Sequence, residues 1–159
     1  MIFTTEVEEF DSPELLPEDE QRLLQEAILA KNNAYAPYSQ FKVGAALLME
    51  NGLVIHGNNQ ENMAYPSGLC AERVAFFAAG AHYPGMPIHK VAITAASEKF
   101  PSDHPIAPCG ACRQAMLEYE MNQKTPITLI MRGTTGKIYR ISGIRQLLPI
   151  YFHEEGLKK

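Results

Sequence analysis

The sequence predicts an α/β protein in which helices cover both faces of a mixed five-stranded sheet, a three-layer α/β/α sandwich. Segments with a helical hydrophobic period and short apolar segments follow one another in the order helix, two strands, helix, strand, helix, two strands. Such an order favours a layered α/β architecture. The chain has 159 residues, 46% of them hydrophobic, which is enough for one core. We therefore expect a single folded domain.

The N-terminal part of the chain divides into an extension and the first helix. Residues 1–16 are acidic and show no clear hydrophobic period, so we interpret them as an N-terminal extension and residues 17–159 as the domain. Proline suits the first turn of a helix, and the carboxylates after Pro17 favour the positive end of the helix dipole. An apolar stripe extends this helix to about Asn33.

The remaining elements follow from apolar runs and turn residues. Residues 41–49 predict a strand, and the Asn-Gly pair at 51–52 is a strong hairpin signal that returns the chain as a second strand over 53–57. The next predicted elements are a helix over 71–81, a buried strand over 90–95, a loop over 97–108, a helix from Cys109 to about Asn122, strands over 127–131 and 137–141, and a short helix over 144–148.

Charge and composition exclude several classes of function. The formal net charge of -4 argues against a surface that neutralises phosphates, as a nucleic-acid-binding protein needs. The first residues lack the basic and apolar regions of a secretory signal, and no apolar run approaches the length of a membrane span. Three cysteines, an odd number, do not suggest a disulfide framework. We expect a cytoplasmic protein that acts on a small molecule, with neither a nucleic acid nor a membrane as partner.

All three cysteines fall in two short motifs, Cys70-Ala71-Glu72 and Pro108-Cys109-Gly110-Ala111-Cys112. Three thiolates can fill three of the four tetrahedral positions around zinc, which leaves the fourth for water. Both motifs stand at predicted helix N-termini, where the helix dipole favours thiolate over thiol. Glu72 is spaced to exchange protons with a water at the open position rather than to bind the metal. The pattern predicts a catalytic zinc site and hydrolytic chemistry.

Two arginines directly follow these motifs and could balance their charge. Three thiolates leave one net negative charge on a divalent ion, which weakens its ability to acidify water. Arg73 follows Glu72 and Arg113 follows Cys112. We expect a guanidinium group to donate hydrogen bonds to the sulfurs, with Arg73 as the first candidate.

Simpler interpretations of the same residues stay open. A Cys-x-x-Cys pair such as Cys109 and Cys112 also occurs in redox dithiols and structural zinc sites, and Glu72 alone would be a solvated helix residue. His104, in the loop before Cys109, could supply a fourth ligand and close the site. The chain would then be a structural or regulatory zinc protein without catalytic activity.

The two cysteine motifs together are typical of zinc nucleobase deaminases, in which a Cys-x-Glu or His-x-Glu motif is followed by Pro-Cys-x-x-Cys. More narrowly, the chain resembles the small homotetrameric cytidine deaminases from Asn33 to about Phe152. The blocks that carry this resemblance are Tyr35-Ala36-Pro37-Tyr38-Ser39, Phe41-Lys42-Val43-Gly44-Ala45-Ala46, Asn59-Gln60-Glu61-Asn62, Cys70-Ala71-Glu72-Arg73 and Pro108-Cys109-Gly110-Ala111-Cys112-Arg113-Gln114.

The resemblance implies a reaction and the residues that perform it. Cytidine and deoxycytidine would be hydrolysed to uridine and deoxyuridine plus ammonia, a reaction of pyrimidine salvage. Cys70, Cys109 and Cys112 would bind one zinc ion per subunit, and Glu72 would be the proton shuttle. A homotetramer with active sites shared across its interfaces is also implied.

Further residues match the family's substrate contacts. By the resemblance, Asn59 and Glu61 hold the ribose 3′-hydroxyl, Phe41 packs against the nucleoside, and the backbone at Ala71 touches the base. Considered without the resemblance, Asn59 and Glu61 form a polar turn and Phe41 is a core residue at the start of a strand. Tyr65 and Phe152 match residues that reach the site of a neighbouring subunit.

Two segments depart from the family pattern, namely the acidic extension and the loop over 97–108. We expect this loop to shape the rim of the pocket.

A related enzyme that deaminates a cytosine-containing antibiotic such as blasticidin shares the zinc motifs and is the alternative to a nucleoside deaminase. The pair Asn59 and Glu61 favours the nucleoside, because it suits a sugar that must be oriented.

Overall fold

The computed structural model describes residues 1–158, in which there are six strands and three α-helices. In chain order these are β1 (Glu8–Phe10), α1 (Glu18–Lys31), β2 (Phe41–Met49), β3 (Val54–Asn58), α2 (Ala71–His82), β4 (Ile88–Ser97), α3 (Gly110–Gln123), β5 (Thr128–Arg132) and β6 (Ile138–Ser142). Short 3-10 helices occur at Pro13–Leu15, Tyr65–Ser67, Ile144–Leu147 and Glu155–Lys158.

The six strands form one mixed sheet in the order β1-β6-β5-β4-β2-β3. The pair β4 and β5 is parallel, and the other neighbouring pairs are antiparallel. Successive residues of β2 point to opposite faces of the sheet, so Ala45 and Leu47 join one buried cluster and Ala46 joins the other. The predicted mixed sheet is confirmed, with six strands in place of five.

The sixth strand comes from the N-terminal extension. β1 pairs with β6, with Glu8 opposite Arg140 and Phe10 opposite Ile138. The guanidinium of Arg140 lies 2.7 Å from the carboxylate of Glu8, and the ammonium of Lys137 pairs with Glu9. A strand of only three residues has no alternating pattern of its own, so its formation depends on partners far away in the sequence.

Helices cover both faces of the sheet, which confirms the three-layer sandwich. Leu23, Leu24 and Ala27 of α1 pack on the face that carries Ala46. The opposite face is covered by α2 and α3, whose buried contacts include Ala75, Phe76, Met116 and Leu117. None of the helices in residues 1–158 combines the length and the apolar character needed to cross a bilayer.

Two glycines allow helices to lie directly on the sheet. A Cβ atom at Gly57 of β3 would overlap the carbonyl oxygen of Ala71 and would lie 2.6 Å from the backbone N of Ala75. A Cβ atom at Gly44 of β2 would overlap the carbonyl oxygen of Ala27 in α1. Glycine at position 57 therefore sets how closely the first turn of α2 approaches the sheet.

A buried carboxylate joins the extension to the domain. Glu20, in the first turn of α1, is fully buried and lies 2.8 Å from Nζ of Lys90 and 3.0 Å from Nε of Arg140. Lys90 also pairs with Asp19 at 2.7 Å, while Arg140 pairs with Glu8 of β1. These pairs satisfy a buried charge that would otherwise be costly.

Candidate active site

The three cysteines meet where the N-termini of α2 and α3 converge. Cys70 is the N-cap residue of α2, Cys109 is the N-cap residue of α3, and Cys112 lies in the first turn of α3. Their Sγ atoms all lie within 4.8 Å of one another, and those of Cys109 and Cys112 are 3.5 Å apart. Zinc–sulfur bonds of about 2.3 Å in a tetrahedron separate the sulfurs by about 3.8 Å. The cluster therefore fits three of the four positions around zinc.

The sulfur atoms differ in how easily they lose a proton. A hydrogen bond with Cys112 lowers the pKa of Cys70 to about 5, and the Arg73 guanidinium contributes in the same direction. The same contact with Cys70, together with burial, raises the pKa of Cys112. The surroundings of Cys70 therefore favour its thiolate, the form in which cysteine binds a metal ion.

The two arginines proposed to balance the sulfur charge have different partners. An NH2 group of Arg73 lies 3.6 Å from Sγ of Cys70. Arg113 instead donates to backbone carbonyl oxygens, from Nε to Pro108 at 2.8 Å and from a terminal nitrogen to Leu147 at 3.0 Å. Arg113 thereby ties the loop before α3 to the segment after β6, and its hydrogen bonds go to oxygen rather than to sulfur.

Glu72 is a buried carboxyl group beside the sulfur cluster. It lies in the first turn of α2 and is only 5% exposed. Burial raises the pKa of Glu72, the negative charge of Cys70 raises it further, and a hydrogen bond with Cys112 opposes these effects. A buried carboxyl group with a raised pKa is suited to general acid–base catalysis.

His104 does not join the sulfur cluster. Among residues 1–158, the group of side chains close enough to share a metal ion consists of Cys70, Cys109 and Cys112. Nδ1 of His104 instead lies 3.3 Å from the carboxylate of Asp103, and both side chains are well exposed. The geometry therefore leaves the fourth position without a protein ligand in the described part of the chain, as a catalytic zinc site requires.

A cavity of about 480 Å³ opens next to this cluster. It reaches Cys70 and Arg73 at one end, and its lining also includes Asn59, Glu61 and Tyr65. Cavities of roughly 300–1,000 Å³ are typical of small-molecule sites. Several predicted substrate-binding residues therefore line one cavity, which reaches the candidate metal ligand Cys70. The other predicted site residues lie outside this lining, namely Phe41, Ala71, Glu72, Cys109, Cys112, Arg113 and Phe152.

Asn59 is nearly buried, and its amide is bound to the backbone of β2. Its Oδ1 accepts a hydrogen bond from the backbone N of Val43 at 2.8 Å, and its Nδ2 donates to the carbonyl oxygen of Phe41 at 2.9 Å. A side-chain amide has two N–H donors and two acceptor lone pairs. Asn59 therefore keeps one donor and one acceptor for a further partner.

Glu61 holds the segment that leads into β2. Its carboxylate accepts hydrogen bonds from the backbone N of Tyr38 at 2.9 Å and of Ser39 at 3.2 Å, and from the Ser39 hydroxyl. These contacts lower the pKa of Glu61 against the opposing effect of desolvation. Gln40, the next residue, adopts a left-handed conformation with φ 55°. The sequence predicted a polar residue at a sugar site but not this contact with the neighbouring loop.

The ring of Phe41 has an aromatic partner that the sequence did not predict. The ring of Phe100 stacks on it, with centroids 5.9 Å apart and an interplanar angle of 22°. Phe100 belongs to the loop over 97–108, which departs from the family pattern. The signal available in the sequence was an aromatic residue within an otherwise polar and proline-rich loop.

Tyr65 and Phe152 are both exposed, at 77% and 72%. Tyr65 contacts Tyr38 edge to face, with ring centroids 6.3 Å apart. The backbone of Phe152 is held by the side-chain amide of Gln114, which donates to the Phe152 carbonyl oxygen at 3.0 Å and accepts from its N at 3.3 Å. Ala71, by contrast, is fully buried at the start of α2. The two exposed rings are free to meet another molecule.

The fold and the three-sulfur cluster beside a buried carboxyl group are those expected of zinc nucleobase deaminases. A family model described as the cytidine and deoxycytidylate deaminase zinc-binding region matches residues 17–127. The chain belongs to the cytidine and deoxycytidylate deaminase family, which confirms the resemblance inferred from its cysteine motifs.

Curated relatives and solved structures agree with this assignment. The cytidine deaminase of Halalkalibacterium halodurans is 49% identical over 139 residues, which cover 87% of this chain and 98% of the relative. That of Sporosarcina psychrophila is 40% identical, with coverages of 87% and 95%. A crystal structure of cytidine deaminase from Burkholderia pseudomallei is similar with a TM-score of 0.71 and 38% identity, over 86% of this chain and 100% of the other.

Proposed function

We propose that this chain hydrolyses cytidine and deoxycytidine to uridine and deoxyuridine with release of ammonia. The observation that carries the proposal is the cluster of three cysteine sulfurs within 4.8 Å beside the buried carboxyl group of Glu72. Relatives that align over most of their own length and are named cytidine deaminases support the substrate. Such a reaction belongs to pyrimidine salvage.

Cys70, Cys109 and Cys112 hold one zinc ion per subunit in this proposal. When bound, zinc supplies Lewis-acid activation of the attacking water. The guanidinium of Arg73, 3.6 Å from Sγ of Cys70, offsets part of the negative charge of the three thiolates. Arg113 acts indirectly, because its hydrogen bond fixes the backbone at Pro108, the residue before the ligand Cys109.

Glu72 moves the protons of the reaction. Its carboxylate takes a proton from the attacking water and delivers it to N3 of the pyrimidine while oxygen bonds to C4. It then carries the proton of the new C4 hydroxyl group to the amino group, so that the C4–N4 bond breaks, ammonia leaves and C4 becomes a carbonyl carbon. The burial of Glu72 supports this role, because it raises the pKa of the carboxyl group toward the range in which it exchanges protons at neutral pH.

The substrate is oriented by groups around the cavity. The remaining donor and acceptor of Asn59 and the carboxylate of Glu61 bind the ribose 3′-hydroxyl, and the backbone at Ala71 contacts the base. Phe41 packs against the nucleoside. The lining of one cavity by Asn59, Glu61 and Cys70 supports a substrate that extends from the sugar subsite to the metal.

The assembly that we propose is a homotetramer in which Tyr65 and Phe152 complete the sites of neighbouring subunits. The exposure of both rings, together with that of Met63 and Ile150, supports an apolar surface that is covered in the assembly. Analytical ultracentrifugation should find a tetramer at assay concentrations. A fully active monomer would remove the cross-subunit roles of Tyr65 and Phe152.

The catalytic domain in this proposal comprises residues 17–159, preceded by the extension over 1–16. The match of the family model, which begins at residue 17, supports this boundary. The three cysteines must stay reduced to bind metal, which favours a reducing compartment such as the cytoplasm.

The decisive experiment compares the wild type with E72Q. In the wild type we expect release of ammonia from cytidine and about one zinc ion per chain. E72Q removes the proton carrier but keeps the shape of the side chain, so turnover should fall by roughly 10²–10⁴-fold while the zinc content is unchanged. Unchanged turnover in E72Q would exclude this role, and turnover of blasticidin alone would redirect the proposal to the antibiotic.

A further inference from the structure

We propose that Phe100 is a positioning residue that holds the ring of Phe41 in the orientation that receives the nucleoside. This inference rests on the proposed function, in which Phe41 packs against the substrate. It assigns a role to the loop over 97–108, the part of the catalytic domain that departs most from the family pattern.

The contact between the two rings has the geometry of an attractive aromatic pair. Their centroids are 5.9 Å apart and their planes are inclined by 22°, which corresponds to a stacked arrangement. Phe41 is only partly buried at the first position of β2, so the core does not enclose its ring. The stack with Phe100 therefore removes rotational freedom that the strand alone leaves to this ring.

Both ends of the contact are fixed to the cavity. On the Phe41 side, the carbonyl oxygen of Phe41 accepts a hydrogen bond from Asn59, which lines the cavity. On the Phe100 side, the backbone N of Glu98 donates to the carbonyl oxygen of Gln40 at 3.3 Å. Ser39, the residue before Gln40, donates hydrogen bonds to the carboxylate of Glu61, and both residues line the cavity.

The far side of the loop is anchored to the turn between β5 and β6. The backbone N atoms of Thr134 and Thr135 donate to the carbonyl oxygen of Ser102, at 2.6 and 3.3 Å. A Cβ atom at Gly133 would overlap this same oxygen, and one at Gly136 would overlap the carbonyl oxygen of Asp103. The close approach permitted by these glycines sets the position of the loop, and hence of Phe100.

A residue that only positions Phe41 should affect binding more than chemistry. Proton transfer depends on Glu72 and on the three cysteines, which α2 and α3 carry. Loss of the Phe100 ring leaves these groups in place but allows Phe41 to turn away, and an incorrectly placed binding group weakens substrate affinity. The expected signature is therefore an increase in KM with little change in kcat.

The test measures steady-state kinetics with cytidine for the wild type, F100A, F100L and F100Y. We expect KM to increase about three- to tenfold in F100A and F100L, which lack the ring, with kcat within about twofold of the wild type. F100Y keeps the ring and should keep the wild-type KM. F3A is the matched control, because Phe3 is a similarly exposed phenylalanine in the extension, and its KM should not change.

A double-mutant cycle with F41A separates positioning from an independent contact. If Phe100 acts through Phe41, adding F100A to F41A should increase KM by less than twofold beyond F41A alone. Fully additive effects, or an unchanged KM in both F100A and F100L, would overturn the inference. Absence of cytidine turnover in the wild type would instead overturn the proposed function, and this inference with it.

Discussion

A terminal nitrogen of the Arg73 guanidinium lies 3.6 Å from Sγ of Cys70, three residues earlier on the same helix. The Nε atom of Arg73 is buried and has no hydrogen-bond partner within residues 1–158. Within residues 1–158 the guanidinium therefore contacts the sulfur cluster and forms no ion pair with a carboxylate.

Replacement of this arginine should weaken zinc binding. R73Q removes the positive charge beside Cys70, and loss of a group that supports a metal ligand typically lowers affinity by about 10–100-fold. Competition with a chromophoric chelator measures the change. R22Q, at an exposed position of α1, is the control and should bind zinc as the wild type does. Equal affinities in R73Q and R22Q would contradict a role in charge compensation.

Removal of the metal should abolish turnover reversibly. In the proposed mechanism three thiolates hold the ion and leave one position open, so activity requires the metal, whereas the hydrophobic core does not. We expect prolonged treatment with a chelator to eliminate deamination of cytidine and added zinc to restore it. Circular dichroism reports whether the fold persists. Undiminished activity in protein shown by metal analysis to be free of zinc would refute the zinc mechanism.

Substitution of Gly57 should reduce activity by more than the accompanying loss of stability explains. In G57A the new Cβ overlaps the carbonyl oxygen of Ala71, so the first turn of α2 must shift with Cys70 and Glu72. A displacement of about 1 Å can cost about 10²-fold in rate. G44A creates a similar overlap with α1 and is the matched control. Comparable losses of kcat in both variants, at equal loss of stability, would argue against a specific effect on the site.

The buried carboxylate of Glu20 should be important for stability. E20Q removes its charge and leaves Lys90 and Arg140 without their buried partner, and breaking a buried ion pair costs about 3–5 kcal/mol. Urea denaturation of the zinc-loaded protein measures the difference. E50Q changes an exposed glutamate in the hairpin and should shift the free energy of unfolding by less than about 0.5 kcal/mol.

Asp19 should make a small contribution to stability that depends on pH. Its hydrogen bond with Lys90 lowers the pKa of its carboxyl group below that in the unfolded chain. The contribution is therefore present above about pH 4, the unfolded value, and is lost as the pH falls through the folded value. Because the side chain is 41% exposed, solvent limits the effect to less than about 1 kcal/mol.

The measurement is the difference in free energy of unfolding between the wild type and D19N. This difference should favour the wild type at about pH 6 and decrease as the pH is lowered below about 4, the pKa of the unfolded carboxyl group. A difference that stays constant across this range would show that the Asp19 charge is not its source.

Local signals were sufficient to predict most of the fold. The Asn-Gly pair predicted the hairpin between β2 and β3, and Gly52 adopts φ 84° there, a conformation that glycine accommodates without strain. The helix that follows Cys70 begins at Ala71 as predicted. β1 was not predicted, because Glu8–Phe10 becomes a strand only through backbone and ionic contacts with β6 at the other end of the chain.

The candidate site was predictable in its types of residue but not in its contacts. Position beside the cysteine motifs made both Arg73 and Arg113 candidates, with Arg73 favoured, but only the path of the chain shows that one contacts sulfur and the other carbonyl oxygens. In the same way, the contacts of Glu61 with the segment before β2 and the stack of Phe100 on Phe41 join loops that are distant in sequence. No local pattern encodes such pairings.

The pairing of β1 with β6 has a consequence for how copies of this chain can associate. With β1 in place, residues 138–140 of β6 already pair with a strand on their outer side, so another polypeptide cannot pair with that part of β6. The new border is only three residues long and carries Glu8 and Glu9. A short border that carries charged side chains is a poor template for strand addition. The extension thereby protects this side of the molecule against uncontrolled polymerisation.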